Sequence, residues 1–197
     1  MREAFDKFMQ TKSGQAYVNQ FLKKGESVRL LMADGEEQAY SFKGNGNGAY
    51  SNSRLRVAGY NLPSNVFGES RAYHADGETR LLKSKTETKR WQMGLLQNDK
   101  SFEMRIMLNG TLDRSASDWA ETIGHEAFVH STDDANVINK VMKALIDGVS
   151  EDDVRKLMGD LDQAGVSANE DHKRLNAGKD EDYNKYIKEL ENEENEY

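Results

Sequence analysis

Residues 101–131 read SFEMRIMLNGTLDRSASDWAETIGHEAFVHS, and they join the best-defined strand of the sequence to a helix that carries two of its four histidines. Over residues 101–110 apolar and polar side chains alternate with the two-residue period of a strand that has one buried face. Asn-Gly-Thr ends this strand, and residues 115–131 then follow a helical period. The stretch therefore marks the point at which a sheet region gives way to a helical region.

Before this stretch, the sequence predicts a helical opening followed by short strands. Residues 2–24 have helical spacing, which we expect to break at Ser13-Gly14 and to end at Gly25. Short, partly alternating segments separated by turn residues follow. They predict strands over residues 27–32, 38–43, 54–60 and 79–85. Because no helical pattern lies between these strands, we expect an antiparallel sheet connected as a meander.

After the stretch, the sequence predicts mainly helices. They cover residues 115–131, 133–147, 150–163 and 179–194, and residues 165–180 form a loop or a short helix before the last of them. The order of helices, strands and helices predicts an α+β fold. We expect one domain over residues 1–197, made of a helical opening (1–25), a sheet region (26–110) and a helical region (111–197).

Composition narrows the classes of function. The 197 residues include 34 acidic and 27 basic side chains, a net charge of -7, which disfavours binding to nucleic acid and to anionic membranes. Cysteine is absent, so any metal must be held by His, Asp or Glu. The first residues lack the apolar region of a signal peptide, and no apolar run is long enough for a membrane helix. We therefore expect a protein that is delivered without its own signal peptide, or that is cytoplasmic.

The chemically suggestive motif is H-E-x-x-x-H, formed by His125, Glu126 and His130. It has one residue more than the H-E-x-x-H of zinc peptidases. In a regular α-helix two residues five apart differ by ~140°, so the two histidines could not meet one ion. Either a π-bulge or a helix end near Val129 would bring them together. The pairs Glu121/His125 and Glu126/His130 do share a face of a regular helix, so the ligand set stays open.

A zinc site would give each residue of this motif a role. Neutral imidazoles of His125 and His130 would bind Zn²⁺ and leave a position for water, and Glu126 would be the general base. We favour His172 as the third ligand because it lies among polar residues downstream. The third ligand could also be His74, Asp133, Asp134 or Asp171.

The same helix also permits an interpretation without metal. Trp119, Ile123 and Phe128 could form its core stripe, with the histidines at the boundary. Gly124 favours a functional interpretation, because glycine costs ~1 kcal/mol relative to alanine within a helix. We expect another backbone to approach the helix closely at this glycine.

The H-E-x-x-x-H spacing resembles that of the dipeptidyl peptidase III family, in which both histidines ligate zinc. A wider resemblance is to metallopeptidase-like (zincin-like) C-terminal toxin domains of the Rhs and other polymorphic toxins. It covers AFDKFMQTKSGQAYVNQFLKKGESV at the start, ETIGHEAFVHS in the middle and DHKRLNAGKDEDYNKYIKEL near the end. The chain departs from those toxins in that it contains no Rhs repeats.

This resemblance implies a zincin-like domain with His125, His130 and His172 as zinc ligands and Glu126 as the catalytic residue. It also implies a secreted effector that hydrolyses a protein or peptide and has an immunity protein as partner. In zincins an edge strand beside the active helix binds the substrate, and residues 101–110 would supply it. The alternative function is a non-catalytic acidic interaction protein, such as an immunity or structural partner.

Overall fold

The chain folds into helices packed against one sheet, which confirms the predicted α+β class. The computed structural model describes residues 1–31, 37–48, 54–74, 102–131, 156 and 168–195. Within these ranges no helix is both long and apolar enough to span a membrane. In chain order the elements are α1 (Arg2–Gln10), α2 (Lys12–Asn19), β1 (Arg29–Leu31), β2 (Glu37–Ala39), β3 (Arg54–Tyr60), β4 (Gly68–His74), β5 (Phe102–Asn109), α3 (Ala116–Gly124), a π-helical segment (His125–Ser131), α4 (Ala168–Asn176) and α5 (Glu181–Asn195).

Some predicted elements lie outside the described residues. They are the strand predicted over residues 79–85, the helix over 133–147 and the helix over 150–163, of which only the helical Lys156 is described. Residues 165–180, which predict a loop or a short helix, contain α4.

The helical opening breaks at Thr11 rather than at Ser13-Gly14. Thr11 has an extended backbone, and its hydroxyl accepts a hydrogen bond from the Gly14 N–H at 2.9 Å. Thr11 is therefore the N-cap of α2, which places Ser13 and Gly14 in the first turn of that helix. A Cβ on Gly14 would collide with the Phe8 carbonyl, so this glycine permits the tight junction instead of ending a helix.

The sheet is mixed, so the expected antiparallel meander is wrong. Its strand order is β2-β1-β3-β5-β4, with β1, β3 and β5 parallel and with β2 and β4 antiparallel to their neighbours. The most apolar strand, β5, lies between β3 and β4, where Ile106 and Met107 on its opposite faces are both buried. An apolar strand with two partners keeps its backbone paired, and the polar strands take the edges. The sequence did not reveal β4, because GESRAYH has little apolar alternation.

Asn109, at the end of β5, fixes the loop that leads into β4. Its side chain is fully buried, and its Nδ2 lies 2.9–3.2 Å from the carbonyl oxygens of Leu62, Pro63 and Val66, which share its two N–H groups. Its Oδ1 accepts from the Thr111 N–H and hydroxyl. A buried amide satisfied in this way determines where β4 begins.

Helix α5 packs against α3 through one tyrosine and one glycine. Tyr186 is fully buried, and its hydroxyl donates to the Ala120 carbonyl at 2.7 Å. A Cβ on Gly124 would fall inside the van der Waals radius of the Tyr186 ring. The close approach at Gly124 is therefore made by an aromatic ring, whereas the sequence suggested another backbone.

We expect Gly124→Ala to destabilise the protein, although alanine is the better helix former. The added methyl would displace Tyr186 and overpack the core, at a cost of about 1–3 kcal/mol in the free energy of unfolding measured with urea. Gly110→Ala is the matched control, because the nearest atom to its added Cβ would be the Tyr60 carbonyl oxygen at 3.8 Å. Equal effects of the two substitutions would contradict the close fit of Tyr186 against Gly124.

Candidate metal centre

The helix that carries the H-E motif changes its winding at the first histidine. α3 begins with a capping box, in which the Ser115 hydroxyl accepts from the Asp118 N–H and the Asp118 carboxylate accepts from the Ser115 N–H. It ends at Gly124, and the π-helical segment follows at once. Hydrogen bonds from i to i+5 bring residues five apart onto one face. Of the two predicted solutions for His125 and His130, the structure therefore has the π-helical one.

The imidazoles of His125, His130 and His172 converge on one point. Their Nε2 atoms form a triangle with edges of 3.2 Å (His125–His130), 3.1 Å (His130–His172) and 3.3 Å (His125–His172). A tetrahedral ion with metal–nitrogen bonds of ~2.0–2.1 Å has its ligand atoms about 3.3–3.4 Å apart. The triangle is close to that size, so these three histidines could hold a metal ion.

The structure brings together the three histidines that the sequence favoured as ligands. His172 reaches the other two from α4, across 42 residues of chain from His130. Of His74 only the backbone is described; it pairs with Phe102 at the end of β4. His125 and His130 are half-buried and His172 is exposed, so the cluster opens to solvent.

Three aspartates also qualified as third ligands from the sequence. The side chains of Asp133, Asp134 and Asp171 lie outside the described part of the chain. The cluster of three imidazoles is therefore the ligand set that the described residues supply.

A turn and an ion pair hold α4 beside the π-helical segment. Gly178, with a φ of 67°, lies in the turn between α4 and α5. Arg174 on α4 donates from Nε to Asp180 Oδ2 at 3.2 Å and from Nη2 to the Val129 carbonyl at 3.3 Å. The other oxygen of Asp180 accepts from the Tyr183 N–H at 3.1 Å and so caps α5. The pairing of Arg174 with Asp180 was not predicted from the sequence, although an aspartate just before Glu181-Asp182 is an N-cap signal.

His125 is electrostatically suited to bind a cation. Burial, followed by the nearby His130 and His172, lowers its pKa from 6.5 to about 4, and Asp180 opposes that shift. The imidazole of His125 is therefore neutral at neutral pH. Neutral imidazole is the form that donates a lone pair to a metal.

Tyr183 of α5 packs against the histidine cluster at His125. Its ring meets His125 edge-on, with ring centroids 6.0 Å apart. Burial, with added effects of Glu121 and Asp180, raises the pKa of Tyr183. The phenol therefore keeps its proton and supports the His125 ring by packing.

Glu126 lies against the first residue of the edge strand. The side chain is buried, and a Cβ on Gly68 would be 3.2 Å from Glu126 Cγ and closer still to Thr122 Cγ2. β4 is thus the strand beside the H-E segment, and its outer edge has no strand partner within the described ranges. Residues 101–110 were expected to supply that edge, but β5 is internal.

Comparison of the chain with protein-family models, with curated proteins and with solved structures finds no match.

We expect the metal-free protein to lose stability as pH falls from about 6.5 to about 4. The pKa of His125 is lower in the folded chain than in the unfolded chain, so the unfolded chain takes up the proton first. The contribution of neutral His125 is complete above pH 6.5 and is lost as pH falls through this window. Urea unfolding of chelator-treated protein at several pH values measures it, and His125→Gln should show a shallower decline. An unchanged decline in that variant would contradict the assignment.

Proposed function

We propose that this chain is a zinc-dependent peptidase-like domain, with zinc held by His125, His130 and His172. The observation that carries the proposal is the triangle of Nε2 atoms with edges of 3.1–3.3 Å. Structural zinc sites use four protein ligands, whereas catalytic sites use three and leave one position open. A three-histidine cluster that opens to solvent therefore supports a catalytic ion.

The donor set also favours zinc over harder cations. Imidazole nitrogen suits zinc, copper, iron and nickel, whereas calcium and magnesium take oxygen ligands. The edges of the triangle are close to those of a tetrahedron, the geometry that zinc prefers.

Peptide hydrolysis needs an activated water and a proton carrier. Bound zinc would polarise the substrate carbonyl and lower the pKa of water to ~7. Glu126, next to His125 in the chain, would accept a proton from the attacking water and pass it to the amine nitrogen as the C–N bond breaks. The water oxygen ends in the new carboxylate, so one acid and one amine are formed.

The outer edge of β4 supports a peptide or protein as substrate. An extended peptide can pair with an exposed strand edge through main-chain hydrogen bonds, without a fixed sequence. β4 begins at Gly68, against which Glu126 packs. A peptide paired with this edge would therefore lie beside the proposed general base.

The resemblance to polymorphic toxins extends the proposal to the cellular role. The domain would be an effector that is delivered to another cell and is neutralised by an immunity protein. The similarity of the three sequence stretches supports this part of the proposal.

We expect the purified protein to contain about one zinc per chain, and His125→Ala, His130→Ala or His172→Ala to remove it. Each substitution leaves two imidazoles, which cannot retain the ion against a competing chelator. Elemental analysis after dialysis against such a chelator measures the content. His74→Ala is the matched control, because it removes a histidine that the proposed ligand set does not include and should leave the zinc content unchanged. A wild-type protein without zinc would favour a non-catalytic interaction protein.

We expect Glu126→Gln to keep the zinc and to lower kcat for a fluorogenic peptide by about 10²–10⁴-fold, the usual contribution of a general base. Glutamine has nearly the same shape but cannot accept the proton from water. Glu121→Gln, which changes an exposed glutamate on the preceding turn, should retain activity. Full activity in Glu126→Gln would remove this glutamate from the mechanism and leave the metal site unaffected.

A further inference from the structure

α4 supplies the third histidine, and the Arg174 side chain on this helix bonds two other parts of the chain. Arg174 follows His172 by two residues and its side chain is 38% exposed, whereas its partner Asp180 is buried. The Nε of its guanidinium donates to the Asp180 carboxylate, and the Nη2 donates to the Val129 carbonyl. The fork therefore joins three parts of the chain, namely α4, the start of α5 and the π-helical segment.

The position of the Val129 carbonyl makes this contact relevant to metal binding. Val129 directly precedes His130 in the π-helical segment. A bond from Arg174 to this carbonyl fixes α4 relative to the backbone of the second ligand. The 3.1 Å separation of the His130 and His172 Nε2 atoms depends on that relation.

We propose that Arg174 is a positioning residue of the metal centre, which presents His172 to the ion by anchoring α4 to both Asp180 and Val129. The inference rests on the metal site of the proposed function. Partners that orient a ligand typically change metal affinity by about 10–100-fold when removed. We expect an effect of this size, because the ligand itself stays in the chain.

Three variants of the full chain separate positioning from general stability. Arg174→Ala removes both bonds. Arg174→Lys keeps the charge opposite Asp180, but a single ammonium cannot reproduce the planar fork that also reaches Val129. Lys188→Ala is the control, because it removes one positive charge from an exposed site on α5.

The measurement is the dissociation constant for Zn²⁺, from competition with a chromophoric chelator, together with the visible spectrum of the Co²⁺-loaded protein. We expect Arg174→Ala to bind zinc about 10–100-fold more weakly than wild type, Arg174→Lys to lie between them, and Lys188→Ala to match wild type. The Co²⁺ bands of Arg174→Ala should shift towards those of His172→Ala. A residue that only stabilises the fold would change the melting temperature of the metal-free protein, but neither the spectrum nor the affinity of the folded protein.

Zinc affinity of Arg174→Ala equal to that of Lys188→Ala would overturn the inference. If circular dichroism shows that metal-free Arg174→Ala is unfolded, Arg174→Lys decides, and wild-type affinity in that variant would overturn it. A wild-type chain that binds no zinc overturns it as well. A wild-type chain that binds zinc and hydrolyses no peptide refutes only the proposed function, because the affinities are measured without substrate.

Discussion

The cluster of three histidines depends on the π-helical winding of seven residues, His125–Ser131. Within a continuous helix, the five-residue spacing of His125 and His130 serves one site when hydrogen bonds run from i to i+5, a winding that is rare and that occurs frequently at functional sites. Several contacts stabilise it here. The Ser131 hydroxyl donates to the Ala127 carbonyl, and a hydrogen bond between the Tyr17 and Ser131 hydroxyls ties the end of the segment to α2. The core therefore holds the geometry that the histidines require.

The C-terminal helices α4 and α5 add the third histidine and its supporting contacts to the two histidines of the π-helical segment. Tyr186 packs into the space left by the missing side chain of Gly124, immediately before the winding changes. Asp180 both caps α5 and pairs with Arg174, so the start of α5 and the Arg174 side chain of α4 share one anchor. Arg174 thus ties the helix that carries His172 to α5 and to the π-helical segment, and neither bond involves the imidazoles themselves.

The sequence revealed the parts of the fold that depend on local patterns. The alternation in β5 predicted a strand, and the spacing of His125 and His130 predicted either a π-bulge or a helix end near Val129, of which the structure has the π-helical winding. Strand order depends on pairing between distant segments, which local patterns do not encode, so a mixed sheet was taken for an antiparallel meander. β4 was missed because an edge strand can be polar on both faces. The convergence of His172 was favoured from its polar surroundings alone, and the Arg174 contact that positions it needs coordinates.

The separation of the ligands along the chain has a consequence for biosynthesis. Translation delivers His125 and His130 to the folding chain together, but His172 emerges 42 residues after His130. At ~5–20 residues per second, this interval is about 2–8 s. Throughout it a nascent chain offers a cation only two of the three imidazoles of the cluster, and the complete cluster arises late in synthesis.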